Sequence, residues 1–526
     1  MKLVRHLTAV ALAAAFAAPL VAQQAIQERL DLNALQRIRD EGLNHSRVDS
    51  LVGYLTDVIG PRVTGSTGMR RAQDWAAQTM RSWGLANVAI EPWDSLFGRG
   101  WDRVAFSARW LEPYPQPLYA MPFAWSGSTR GPVTCAVKVA EIRDTTDFAR
   151  YDGQLRGACV LLLRPSGNQP AGIREIPPEW NPPAQRIDAD SVLAWTARPL
   201  PTRPPGAPQA GPQQGQFQRF QSLQARMGAW IQAQAPAAIL QASNWTYGLI
   251  LGSGGPQARM ARDSANFEPL PALVLSHEHA GQIYRDIRRG VNVRLEINVQ
   301  NRFTNPDKRE YTVVAEIPGT DKANELVMVG AHLDSWYGGT GATDDAAGSA
   351  VMMEALRILK TLNLPMRRTV RIGLWSGEEQ GLLGSAAYVR AHRAEMDRVS
   401  AYLNVDNGTG RLRGVWAQSN VAVVPIFEQI LAPFRDLGIV AVAPGNTGGT
   451  DHLSFDRIAN VPGFQFIQDP IDYGTRTHHS QVDTYERLVM DDLRQAATIV
   501  AWSVYTIANR EEMMPRKPAP PATGTN

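Results

Sequence analysis

The chain has 526 residues, 53 of them basic and 50 acidic, for a net charge of +3 spread along its length, so no polycationic face is available and nucleic-acid binding is disfavoured. The length suggests roughly three domains as a prior. Cys135 and Cys159 are the two cysteines; they exclude a cysteine scaffold and a cysteine zinc site, and leave one disulfide or two buried thiols equally open.

In chain order, Lys2 and Arg5 precede an apolar run from Leu7 to Ala18, then Leu20-Val21-Ala22 and a polar Gln23-Gln24 pair. This is the layout of a secretory signal over 1–22 and predicts a secreted or periplasmic protein. No cysteine follows the run, which argues against a lipid anchor there. No later stretch approaches the ~20 apolar residues of a membrane helix, so no transmembrane segment is expected. Residues 23–126 read as the N-terminal part of a main domain, with helical patterns around Val48 to Val52 and Arg70 to Trp83 separated by the turn Gly60-Pro61-Arg62.

From 127 to 305 the texture changes to short β-rich runs: Val133 to Val139, Ala158 to Leu163, Ala237 to Leu240, Ala272 to Leu275 and Val293 to Ile297. An independent β-rich insert is expected. Inside it, residues 165–216 are crowded with Pro, Gln and Gly and read as a mobile excursion. Over 306–512 the pattern is strand, helix, strand: β runs at Glu325 to Gly330, Thr369 to Trp375 and Ala401 to Val405, and a helix at Asp345 to Thr361. That alternation predicts an α/β fold with a mixed, largely parallel sheet flanked by helices. Residues 513–526, rich in Pro and Ala, read as a disordered tail.

Chemistry-bearing residues close several of these segments. His332, Glu379 and Asp406 each come just after a β run, and Asp344-Asp345 opens the following helix, where negative charge suits the dipole. In open α/β sheets ligands gather at the carboxyl ends of strands, so residues far apart in sequence can converge. Imidazoles and carboxylates are zinc ligands, and two metals in one site need a bridging carboxylate, for which Asp344 is the natural candidate. If the Glu378-Glu379 segment is extended, the two side chains leave on opposite sides, so one can ligate while the other reaches a water as general base.

These segments resemble the co-catalytic di-zinc exopeptidases, the family of leucyl aminopeptidases and carboxypeptidase Q (plasma glutamate carboxypeptidase). The resemblance rests on His332-Leu333-Asp334-Ser335-Trp336, Gly341-Ala342-Thr343-Asp344-Asp345, Leu374 to Gly381, Asp406-Asn407-Gly408-Thr409, and His478-His479-Ser480 with Asp483-Thr484. It implies the zinc exopeptidase fold and two Zn2+ per chain, one held by His332 and Asp406, the other by Glu379 and His479, with Asp344 bridging. It also implies Glu378 as general base, Asp334 as the residue orienting His332, a cis Asp344-Asp345 peptide, and a protease-associated domain for the 127–305 insert. A homodimer is compatible with it.

Several histidines have plainer readings. His478 is read as packing or as a support for the neighbouring ligands, since the family's pattern of His followed by Ser or Thr selects His479. His277-Glu278-His279 is read as surface, because residues two apart on a helix do not share a face and Ser276 looks like an ordinary cap. Gly448 to His452 is read as a substrate-side loop, with His452, Asp451 and Tyr473 as substrate-binding candidates.

The function these readings favour is hydrolysis of dipeptides or short peptides by a zinc exopeptidase, with amino- versus carboxypeptidase specificity open. Manganese or cobalt would also suit the donor set. One alternative is a glutaminyl-cyclase-like acyl transferase with a single zinc, disfavoured by Asp345 directly after Asp344 with Gly348 beyond. A second is a non-catalytic receptor-like module, disfavoured because no ligand is missing.

Overall fold

A computed structural model describes residues 27–163, 186–198, 223 and 225–518. The expected signal at 1–22, most of the 165–216 excursion, and 519–526 of the expected tail lie outside the described residues.

The strands are β1 (Ala86–Pro92), β2 (Gly100–Glu112), β3 (Gln116–Pro117), β4 (Ala120–Pro122), β5 (Val133–Glu141), β6 (Cys159–Leu163), β7 (Ala238–Ala242) and β8 (Ala272–Leu275). They continue with β9 (Arg294–Thr304), β10 (Tyr311–Ile317), β11 (Lys322–His332), β12 (Arg368–Trp375), β13 (Val399–Asn404), β14 (Leu412–Trp416), β15 (Ala441–Ala443) and β16 (Gly463–Gln468).

One sheet runs β1-β10-β12-β11-β13-β16-β14-β15. Its centre, β12-β11-β13-β16, is parallel, while β1, β10 and β14 pair antiparallel with their inner neighbours. The apolar run of β11 is buried on both faces, as a central parallel strand requires. The helices Leu32–Asn44, Ala347–Leu362 and Met490–Asn509 share one core with one face. The other face packs Trp375 and Tyr402 against Tyr388 of helix Leu383–Ala391 and Phe455 of helix His452–Ala459. Residues Ala347 to Leu359 are all buried, because their helix packs against β11 and against the helices Leu32–Asn44 and Met490–Asn509.

The register decides where chemistry collects. His332 pairs with Trp375 across β11 and β12, and Gly330 with Asn404 across β11 and β13, so the carboxyl ends of the three parallel strands stand side by side.

The second sheet runs β3-β2-β9-β5-β6-β7-β8-β4. The β runs between 127 and 305 are its strands β5 to β9, and β2, β3 and β4 from the preceding segment complete it. A disulfide joins Cys135 and Cys159, 24 residues apart, across the adjacent strands β5 and β6. One face packs Trp110, Leu161 and Leu273 against Ile283 of helix His277–Arg288. The other carries an aromatic layer of Trp101, Phe123 and Trp125, which Trp336 and Tyr337 join from the loop after β11.

Three expectations are corrected. His277 and His279 are buried rather than on the surface: His279 Nδ1 accepts the Tyr119 amide at 3.0 Å and its ring stacks on Tyr119 at 4.9 Å, because the helix start packs against the sheet. Ser276 does cap that helix. Within the expected excursion, residues 186–198 are held in place. Arg186 reaches Asp469 at 3.1 Å and Asp492 at 2.7 Å, and Trp195 stacks on Trp416 at 5.2 Å. Residues 513–518 of the expected tail are packed too. Met514 is buried and Arg516 donates to the carbonyls of Met396, Val399 and Asn460, contacts that composition does not reveal.

Among the described residues no helix is long and apolar enough to cross a membrane.

Candidate metal centre

His332 is the last residue of β11 and is 1% exposed. Its Nδ1 hydrogen-bonds the Asp334 carbonyl at 2.9 Å, which turns Nε2 toward Asp344 Oδ1 at 3.2 Å and Asp406 Oδ1 at 3.7 Å. Asp344 is buried in a wide turn at Ala342–Ala346, and the Asp344-Asp345 peptide is cis. Asp345 Oδ1 accepts the Gly348 amide at 3.0 Å. A Cβ on Gly348 would lie 2.2 Å from the Val405 carbonyl, so the glycine lets the helix start approach the segment that carries Asp406.

On the other side of Asp344, Oδ2 lies 3.2 Å from His479 Nε2, and His479 Nε2 lies 2.9 Å from Glu379 Oε2. His478 stacks on His479 at 3.7 Å, with its Nε2 3.9 Å from Asp344 Oδ2. Glu378 Oε2 stands 4.0 Å from His332 Nε2. Two donor trios therefore close within 4.8 Å, His332-Asp344-Asp406 and Asp344-His478-His479, and Asp344 belongs to both. Glu379 joins the second through His479.

Buried scaffolding fixes these loops. Asp334 accepts Thr64 Oγ1 at 2.8 Å and the amides of Glu378 at 3.3 Å and Glu379 at 3.4 Å, so it ties the β11 end to the loop after β12. Arg62 is fully buried and donates to the carbonyls of Leu333 at 2.7 Å, Thr340 at 2.7 Å and Gly341 at 2.9 Å. Burial lowers its pKa to about 10, which leaves it charged at neutral pH. Asp483 Oδ1 accepts both the amide and the hydroxyl of Thr343, at 2.6 and 2.8 Å. The amide of Gly252, ahead of β8, donates to the His479 carbonyl at 2.7 Å, so the second sheet's segment braces the His479 loop. Arg62 and Thr64 were not legible as site residues; their only sequence signal is the Gly60-Pro61-Arg62 turn.

The substrate-side candidates divide. Tyr473 lines the cavity, and its hydroxyl donates to Asp344 Oδ1 at 3.0 Å and lies 3.3 Å from Asp406 Oδ1. Burial, with Asp344 and Asp406 adding to it, raises its pKa, so it stays protonated. His452 is fully buried against the Gln418 amide and is not among the cavity-lining residues; burial lowers its pKa to about 4. Asp451 is also buried away from the cavity lining, and burial raises its pKa to about 7. Both follow from the helix His452–Ala459, which turns other residues to the cavity.

The electrostatics ask for cations. Asp344, Glu378, Glu379 and Asp406 line one cavity of about 680 Å³. Asp344 Oδ2, Asp345 Oδ2 and Glu379 Oε1 are buried without a hydrogen-bond partner, a costly state for carboxylates unless a cation or proton compensates. Burial alone would lower the pKa of His332, but Asp406 and Glu378 outweigh it and hold it well above its usual range. Burial, reinforced by Asp344, raises Glu379. Orphaned carboxylate oxygens converging with imidazole nitrogens fit a divalent metal site.

Residues 312–504 match the description Peptidase family M28. Carboxypeptidase Q from Xenopus laevis is 32% identical over 478 residues, covering 90% of this chain and 88% of that relative. The chain belongs to peptidase family M28. Carboxypeptidase Q from Homo sapiens is 26% identical over the same shares of each chain. Among solved structures, a peptidase M28 precursor from Shewanella amazonensis SB2B covers 92% of this chain and 98% of its own, with 24% identity and a TM-score of 0.65. BSAP, a zinc aminopeptidase from Bacillus subtilis, covers 89% and 98%, with 17% identity and a TM-score of 0.55. Both share the M28 fold seen here.

Proposed function

We propose that this M28 peptidase is an exported metallo-exopeptidase that hydrolyses dipeptides or short peptides with two zinc ions per chain. The observation that carries the reading is Asp344 standing between two donor pairs, His332 with Asp406 and His479 with Glu379. His332 and Asp406 would hold one ion and Glu379 and His479 the other, with Asp344 between them. Zinc is the metal named for the Bacillus subtilis relative. Export rests on the layout of residues 1–22.

When bound, the zinc pair would supply an acidified water and a polarised scissile carbonyl. Glu378, in the cavity wall, accepts the proton of the attacking water and passes it to the leaving amine. Asp334 keeps Glu378 and His332 in mutual register through the backbone of one and beside the ring of the other. The Tyr473 hydroxyl, at the cavity wall, would reach the substrate carbonyl oxygen only by releasing the bond it donates to Asp344.

A single-zinc acyl transferase is disfavoured by the second trio, and a ligand-less receptor module by the complete donor set. The test is hydrolysis of a dipeptide panel by metal-stripped enzyme resupplied with zinc stepwise. Activity should rise up to about two zinc per chain. Saturation near one would favour the acyl transferase, and no peptide turnover at any loading would overturn the proposal.

A further inference from the structure

The catalytic cavity is lined by four carboxylates, and among its lining residues Arg457 is the one side chain with a permanent positive charge. Arg457 is exposed, and no hydrogen bond or ion pair engages it among the described residues. The adjacent Asp456 does not neutralise it, because Asp456 pairs with Lys517.

Arg457 shares its wall of the cavity with Leu453, Gly448 and Gly449. Leu453, one turn earlier on the helix His452–Ala459, lines the same cavity, so one helix face presents an apolar and a cationic contact together. Gly448 and Gly449 form adjoining wall, and a Cβ at either would meet nothing within 4 Å, so this wall is bare backbone with open space before it. A guanidinium recognises a carboxylate by paired N–H donors in a planar fork. Of the cavity's own carboxylates, Asp344, Asp406 and Glu379 face the imidazoles of His332 and His479.

We propose that Arg457 binds the free α-carboxylate of a short peptide substrate, with Leu453 against the side chain of that terminal residue. The enzyme then reads the carboxyl end of its substrate. This assignment rests on the peptidase reading above and adds to it the substrate end that is recognised.

The experiment measures kcat and KM of the zinc-loaded wild type, Arg457→Ala and Arg457→Lys on a dipeptide, its C-terminal amide and its N-acetyl form. The wild type should prefer the free dipeptide over the amide by about 2- to 5-fold in kcat/KM, the range of a solvent-exposed charge pair. Arg457→Ala should abolish that preference through KM, with kcat and the rate on the amide little changed, and Arg457→Lys should keep part of it. A wild type indifferent to amidation, or a preference that survives Arg457→Ala, would overturn the assignment while leaving the peptidase reading intact. Failure of the wild type to hydrolyse any of the three would remove the peptidase reading itself and the subsite with it. Zinc content and circular dichroism of each variant separate a lost contact from a lost fold.

Discussion

Glu378→Gln isolates proton transfer from metal binding. Glu378 is 10% exposed at the side chain and 4.0 Å from His332 Nε2, and its fixed hydrogen bond to Asp334 comes from the main chain, which the substitution leaves unchanged. Glutamine has the same shape but cannot accept a proton. General-base catalysis contributes about 10²- to 10⁴-fold, so kcat should fall by that factor, equivalent to about 3 to 5 kcal/mol of barrier. Because Glu378 is not among the donors assigned to the metals, bound zinc and KM should stay near wild type. Steady-state kinetics on a dipeptide, with metal content measured on the same samples, read both quantities. A kcat within tenfold of wild type at full metal loading would refute the role. Glu379→Gln is the contrast: it should lose zinc along with activity.

Arg62→Met leaves the carbonyls of Leu333, Thr340 and Gly341 without their buried donor and should cost about 3 to 5 kcal/mol in urea unfolding; a loss below about 1 kcal/mol would contradict its role as the clamp of that loop. Glu310 is buried, with Oε2 unpartnered, and burial raises its pKa from 4.5 to about 7. The folded state therefore holds that proton more tightly than the unfolded state, and stability falls as pH rises from about 4.5 to about 7, by up to about 3 kcal/mol. Glu310→Gln should flatten that slope in unfolding measured across the window, and an unchanged slope would refute it. Replacing Cys135 and Cys159 together by serine opens a 24-residue closure in the second sheet and should lower stability by about 3 kcal/mol, read as a shift in the denaturation midpoint.

The positions of His332, Glu379 and Asp406 at strand ends were legible because each follows an apolar run, whereas Asp344 and His479 lie in glycine- and threonine-rich loops and rested on the family resemblance. The runs ending near His332, ahead of Glu378 and ahead of Asp406 are β11, β12 and β13, and parallel pairing aligns their ends. The clamps were not legible, because Arg62 and Thr64 act from a turn some 270 positions earlier, and local sequence carries no sign of which carbonyls or carboxylates they meet. His452 shows a different limit. Its helix was placed only as a loop, and once the helix exists its period puts Leu453 and Arg457 on the cavity wall and leaves His452 buried. The buried His279 likewise depends on the Tyr119 segment folding back against the helix start, a long-range contact. Composition described 186–198 as loose because it counts apolar area, whereas Arg186 is held by two buried carboxylates.

The central claim is a metal pair sharing Asp344, and anomalous scattering at the zinc edge from crystals grown with zinc tests it most directly. Two peaks are expected on either side of the Asp344 carboxylate, about 3.5 to 4 Å apart, one within about 2.2 Å of His332 and Asp406 and the other equally close to Glu379 and His479. A single peak, or peaks that leave Asp344 without a metal contact, would contradict the account.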